Sequence, residues 1–207
     1  MPESQFGAPR GVRGWLAAQL VSRLTADANR WMIKCLEVET NDRVLDVGCG
    51  PGLGVAFAAG TASAGFVAGV DASPTMVRQA LGRNRAAVRD GRVGVVRADA
   101  AHLPFGDGCF DKVCSLNSMQ FWPSPEVGLR EMHRVGGPRG RVVLALMARS
   151  DDPPADAPPA WLAPIARLME DSGSNSVGLD RQTFGGVVHW ALLGAPATTC
   201  GDGLRGD

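Results

Sequence analysis

Three acidic residues and a run of glycines carry the most chemistry in this sequence. Asp46 stands two positions before Gly48, and Gly50, Gly52 and Gly54 follow at every second position. Asp71 and Asp99 come later, each after a short apolar run. Ionised carboxylates only accept hydrogen bonds, so they suit ligands that present hydroxyl or amino groups. Glycines at this spacing let the backbone turn sharply and let a ligand approach without meeting a Cβ. A helix that starts there aims its free N–H groups at the same place. A nucleotide-like ligand fits such a crevice, although a tight structural turn uses the same residues.

These residues need a scaffold that brings them to one edge. Val44, Leu45 and Val47 read as a strand buried on both faces. A short helix through Ala59 leads to a second strand, Phe66 to Val70. Ser73 suits a helix N-cap and Pro74 its first turn, and that helix dissolves in the charged stretch Arg83 to Arg92. Further strands are expected at Val93 to Val96, Phe110 to Leu116 and Arg141 to Met147, with a helix from Pro125 to Arg134. This alternation predicts an α/β, doubly wound, mostly parallel sheet with helices on both faces. Asp46, Asp71 and Asp99 then fall at or beyond the carboxyl ends of strands, where such sheets bind ligands.

Composition narrows the classes. With 207 residues, 45% of them hydrophobic, the chain suits one domain with a sizeable core. Its formal net charge of zero gives no general pull on nucleic acid or anionic membrane. No apolar run approaches the ~20 residues of a membrane span. Residues 1–13 lack the apolar centre of a signal peptide. Five cysteines at scattered spacings show no paired ligand motif, so the expectation is reduced thiols, no metal and a cytoplasmic location. Leu16, Leu20, Leu24, Ala28, Trp31 and Leu36 trace a helical arm that either lies over the ligand crevice or only covers the sheet.

Four stretches in order resemble the class I S-adenosylmethionine-dependent methyltransferases. They are Val44-Leu45-Asp46-Val47-Gly48-Cys49-Gly50-Pro51-Gly52, Val70-Asp71-Ala72-Ser73-Pro74-Thr75-Met76, Ala98-Asp99-Ala100 with Leu103-Pro104-Phe105, and Phe110-Asp111. The resemblance spans Arg43 to Met147 and is strongest to the quinone, sterol and lipid branch. Phe6 to Gly11 and Asn29 are similar to a bacterial subgroup. The resemblance implies S-adenosyl-L-methionine as cofactor and a Rossmann-like, seven-stranded sheet ending in an antiparallel hairpin. The helix Trp161 to Asp171 and the runs Val177 to Arg181 and Val187 to Leu193 match that ending.

The implied cofactor residues are Asp46, Gly48, Cys49, Gly50, Asp71, Ala72, Met76, Asp99, Ala100 and Asn117. Asp46 would hold the amino-acid end, with Gly48 and Gly50 giving it room. Asp71 would take both ribose hydroxyls. Asp99 would take the adenine amino group beside the Ala100 N–H, with Ala72 and Met76 against the ring. Gln120 and Trp122, in the segment after the fourth strand, would face a small, largely apolar acceptor methylated at oxygen or carbon. Residues 1–41 would form a helical arm covering the site, 42–195 the methyltransferase domain, and 196–207 a disordered tail.

Other readings stay open. A nicotinamide dehydrogenase of this fold also places an acid after its second strand, but its fingerprint is G-x-G-x-x-G. Here an acid and then alternate glycines stand instead, and the chain has no tyrosine. A cofactor-binding protein without turnover is the third reading. The sequence lacks Asn-Pro-Pro-aromatic and Pro-Cys motifs, which counts against DNA methylation. His102 reads as surface or packing, His133 as structural, and His189 as core or a far pocket wall, so no catalytic residue is assigned. An activated sulfonium donor can react through positioning alone. Two departures from the family stand out: Arg134-Val135-Gly136-Gly137-Pro138-Arg139-Gly140 before the fifth strand, and Ser174 where an aromatic is common. The oligomeric state is not legible.

Overall fold

The computed structural model describes residues 26–149, 152 and 157–196. Its elements run α1 (Ala26–Cys35), β1 (Arg43–Val47), α2 (Leu53–Thr61), β2 (Phe66–Asp71), α3 (Pro74–Arg83), α4 (Arg85–Arg89) and β3 (Val93–Arg97). There follow β4 (Lys112–Leu116), a 3-10 turn (Met119–Phe121), α5 (Pro125–Gly136), β5 (Arg141–Met147), α6 (Leu162–Ser172), β6 (Ser176–Phe184) and β7 (Val187–Ala195). The arm up to Thr25, most of the linker from Ser150 to Pro159, and the tail from position 197 lie outside the described residues.

The strands form one sheet in the order β3-β2-β1-β4-β5-β7-β6. All pairs from β3 to β5 are parallel, whereas β7 is antiparallel to both β5 and β6. Chain order reverses between β1 and β4, which makes the carboxyl ends of those strands the switch point where ligands bind in this architecture. This is the expected mostly parallel seven-stranded sheet with a C-terminal hairpin.

Period-two alternation divides the core between the faces. Leu45, Val47, Val113, Leu144 and Leu192 pack with Leu129 and Met132 of α5 and Met169 of α6. Val44, Val67, Cys114, Val143 and Ala191 pack with Trp31 and Met32 of α1 and Val55 and Ala58 of α2. Central strands buried on both sides explain the nearly continuous apolar runs. The described part of the arm is therefore core: Met32 is fully buried, and Trp31 also ties to the hairpin through a 3.0 Å bond from Nε1 to Asp180.

Some expected boundaries shift. The fourth strand begins at Lys112, because Phe110 leaves the ladder, packs edge-on against Phe105 at 4.9 Å and donates its N–H to Val135. The charged stretch after Arg83 keeps a helical turn, α4, which follows Asn84. That buried side chain donates to the carbonyls of Gly52 and Ala80 at 3.0 and 2.9 Å, which fixes α3 to the glycine turn. The hairpin strand is longer than expected, reaching Phe184, where the ring meets Trp31 and His189. Ser73 caps α3 by accepting from the Met76 N–H at 3.4 Å, with Pro74 in the first turn as expected. Ser174 keeps its packing by replacing an apolar contact with a hydrogen bond: it is buried and 2.8 Å from Nε2 of His133, whose Nδ1 is 2.9 Å from the Leu129 carbonyl.

Candidate functional site

The turn after β1 is seated on the end of β2. The N–H groups of Gly48 and Cys49 both donate to the Val70 carbonyl, at 2.8 and 2.9 Å. Gly48 and Gly50 have φ of +71° and +53°, a region that disfavours side chains. The two glycines serve different ends. A Cβ on Gly48 would collide with the Ser118 side chain, whereas a Cβ on Gly50 would meet nothing within 4 Å. The Ser118 contact by itself requires Gly48 to lack a side chain, and Gly50 faces open space. Cys49 is the opposite case: its thiol is buried beside Gly69 and Val55, and burial pushes its pKa well up. Only its backbone can face a ligand.

Asp71 closes the turn from the neighbouring strand. Its Oδ2 accepts from the Gly50 N–H at 2.9 Å and its Oδ1 from the Ser73 N–H at 2.8 Å. Each oxygen retains acceptor capacity for a ligand. Burial raises the Asp71 pKa, and the two backbone bonds pull it back down.

Asp46 lies deeper, only 3% exposed. Burial first and the charge of Asp71 second push its pKa up to about 7. A Cβ on Gly54 would come within 2.5 Å of Asp46 Oδ2 and 2.9 Å of Asn29 Oδ1, so the side chains of β1 and α1 converge over that glycine. A buried carboxylate is costly unless a cation or donor joins it.

The other expected residues divide into two groups. Asp99 follows β3 and its Oδ1 accepts from the Ala101 N–H at 2.9 Å, while the Ala100 N–H has no acceptor among the described residues. Met76 is buried at the start of α3 and Ala72 is exposed. Asn117 sits at φ +51° with its Oδ1 accepting from the Met147 N–H at 2.6 Å, so its side chain ties β4 to β5 while its amide NH2 keeps its donors. Trp122 is not part of the lining of the cavity that Gln120 borders: its ring packs on Gly128 of α5, and Nε1 donates to Ser118 Oγ at 3.1 Å.

Gln120 does border a cavity, of about 750 Å³, beyond the carboxyl ends of β4 and β5. Met119, Leu146, Trp161, Val188 and Trp190 line it, with Arg149 and Asp152 also contributing. Ser118 joins cavity and turn, because its Oγ donates to the Val47 carbonyl at 3.1 Å while its neighbours Met119 and Gln120 form cavity wall. The sequence reading passed over Arg149, Trp161 and Trp190. Arg149 stands two residues beyond the fifth strand's carboxyl end, the signal that located Asp71 and Asp99. His189 faces away from the cavity, toward Phe184 and α1, and burial lowers its pKa.

A doubly wound sheet whose switch point holds an open glycine turn, an acid across from it and a second compartment alongside defines a Rossmann-like cofactor domain. A family model described as a methyltransferase domain matches residues 45–144. YrhH of Bacillus subtilis, which carries the provisional name of a methyltransferase, is 30% identical over 124 residues, covering 60% of this chain and 68% of YrhH. Methyltransferase GfsG of Streptomyces halstedii is 38% identical over 110 residues, covering 53% of this chain and 39% of GfsG. The structure of a SAM-dependent methyltransferase from Aquifex aeolicus superposes with a TM-score of 0.65 at 20% identity, covering 80% of this chain and 88% of that one. The chain belongs to the class I S-adenosylmethionine-dependent methyltransferase family. It spans about half the length of several curated relatives that it matches.

Proposed function

We propose that this protein transfers a methyl group from S-adenosyl-L-methionine to a small, largely apolar acceptor at oxygen or carbon. The observation that carries the reading is the place of Ser118, bonded to the Val47 carbonyl at the start of the glycine turn and followed in the chain by Met119 and Gln120, which line a largely apolar cavity of about 750 Å³. That volume lies within the usual range for small-molecule sites.

The residues present fit the cofactor. The space before Gly50 is one that a Cβ would fill. The buried Asp46 suits a cationic amino-acid end, and pairing would draw it to the ionised form. Asp71 retains lone pairs for a ribose, and the Ala100 N–H and Asp99 carboxylate form a donor and acceptor pair for an adenine edge. When bound, the cofactor supplies a methyl group already activated on a sulfonium. The chain's own part is then to hold, orient and exclude water.

Residues 1–41 would act as a cover over the site, with α1 as its anchored portion, and a cytoplasmic location agrees with four free cysteines among the described residues. No helix among the described residues is long and apolar enough to cross a membrane. Incubating the full chain with methyl-labelled S-adenosylmethionine and cell extract tests the reading. Label should enter a small, organic-extractable product. Cofactor binding without any labelled product would favour a binding protein without turnover.

A further inference from the structure

Among the described residues, the ionisable groups lining the cavity beside Gln120 are Arg149 and Asp152. Asp152 ties the loop together: Oδ1 accepts from Trp161 Nε1 and Oδ2 from the Arg149 N–H, both at 2.7 Å. The chain has three histidines and no tyrosine. His133 is bonded to Leu129 and Ser174 behind α5, His189 faces the opposite side of the sheet, and His102 is exposed after β3. Lys112 lies at the other end of β4, 3.9 Å from Asp42, and Lys34 is on α1.

Arg149 is the group with charge to offer. Its guanidinium stands 5.2 Å from the Trp161 ring centroid and forms no ion pair among the described residues. An arginine stacked on an indole keeps its planar donor edge for an oxyanion. Trp161 and Trp190 give the cavity flat aromatic walls, and Met119 and Leu146 complete an apolar surface.

Building on the methyltransferase reading, we propose that the acceptor is an acidic aromatic or enolic molecule that enters as its anion, attracted by Arg149. Its proton goes to solvent before binding. The anion's lone pair then forms the bond to the methyl carbon while the carbon–sulfur bond breaks, its electron pair staying on sulfur. An aliphatic alcohol would need a base to take its proton during transfer, and the proposal does not extend to it.

Para-nitrophenol tests the proposal on the full chain without turnover, because its anion alone absorbs visible light. At a pH just below the probe's pKa, wild-type protein should increase the anion band, lowering the apparent pKa by about one unit. Arg149→Gln should abolish that increase while S-adenosylmethionine affinity, read by calorimetry, stays within about threefold. In turnover, para-nitrophenol should be methylated and para-nitrobenzyl alcohol should not. The acidic limb of kcat/KM should move upward when phenol replaces para-nitrophenol. An unchanged or weakened anion band, a limb fixed across acceptors, or no methylation of either phenol by a protein that binds the cofactor would overturn the acceptor class. Failure to bind S-adenosylmethionine would instead sink the underlying function.

Discussion

The Gly50 amide donates to the Asp71 carboxylate across 2.9 Å, so the turn after β1 and the end of β2 behave as one unit. The second oxygen of Asp71 holds the Ser73 amide and thereby the start of α3. One carboxylate therefore shapes the turn and also presents its remaining lone pairs to a ligand. Catalytic sites of this fold need preorganised polar groups, and here the preorganisation comes from the binding residue itself.

Asp71→Ala should weaken S-adenosylmethionine binding by about 1.5–3 kcal/mol, the range for hydrogen bonds to a charged group. Two backbone donors also lose their acceptor, so the free protein should be destabilised by about 1–2 kcal/mol. Calorimetry and urea melts on one preparation measure both. Affinity like that of the wild type would remove Asp71 from the site.

Gly48→Ala and Gly50→Ala separate the two glycines. Each would force a side chain into the left-handed region at a cost of about 1–2 kcal/mol. Gly48→Ala adds a collision with Ser118 and should unfold far more readily. Gly50→Ala has room for its methyl in the free protein, so it should fold and lose affinity for the cofactor. Thermal melts with and without S-adenosylmethionine read the difference.

Much of this arrangement is legible in the sequence, for a physical reason. Buried parallel strands demand continuous apolar runs, and the switch point puts Asp46, Asp71 and Asp99 at strand ends that can be counted from those runs. Side-chain direction is less legible. Cys49 and Trp122 sit in the right segments, yet one faces the core beside Gly69 and the other lies on Gly128, which only tertiary packing decides. The bond from the Met147 N–H to Asn117, which joins two strands across 30 residues, is likewise set by tertiary packing. Arg149 does stand just beyond a strand's carboxyl end, whereas Trp161 reaches the same cavity across a loop with no local pattern to mark it.

Trp122→Ala should act on stability, not on the acceptor. Removing a half-buried indole from Gly128 and breaking its bond to Ser118 should cost about 2–4 kcal/mol. KM for the acceptor should be unchanged in the folded fraction. By contrast, Gln120→Ala should raise acceptor KM with cofactor affinity intact. Melting curves and initial rates distinguish them.

Asp46 makes the free protein pH-sensitive. Its folded pKa of about 7 lies above the ordinary 3.8, so the folded state holds the proton more tightly than the unfolded chain. The stability this contributes is complete below pH 3.8 and is lost as pH rises to about 7. Asp46→Asn should flatten that dependence in urea melts across the same window. Binding a cation beside Asp46 needs the ionised form, so cofactor affinity should fall below pH 7, approaching tenfold per unit, and level off above it.

Calorimetric titration of the full wild-type chain at pH 8 with S-adenosylmethionine, and separately with NAD, tests the central claim most directly. Saturable one-to-one binding of S-adenosylmethionine with a Kd in roughly the micromolar range, and no heat with NAD, is the predicted result. Saturable binding of NAD with none of S-adenosylmethionine would contradict the account.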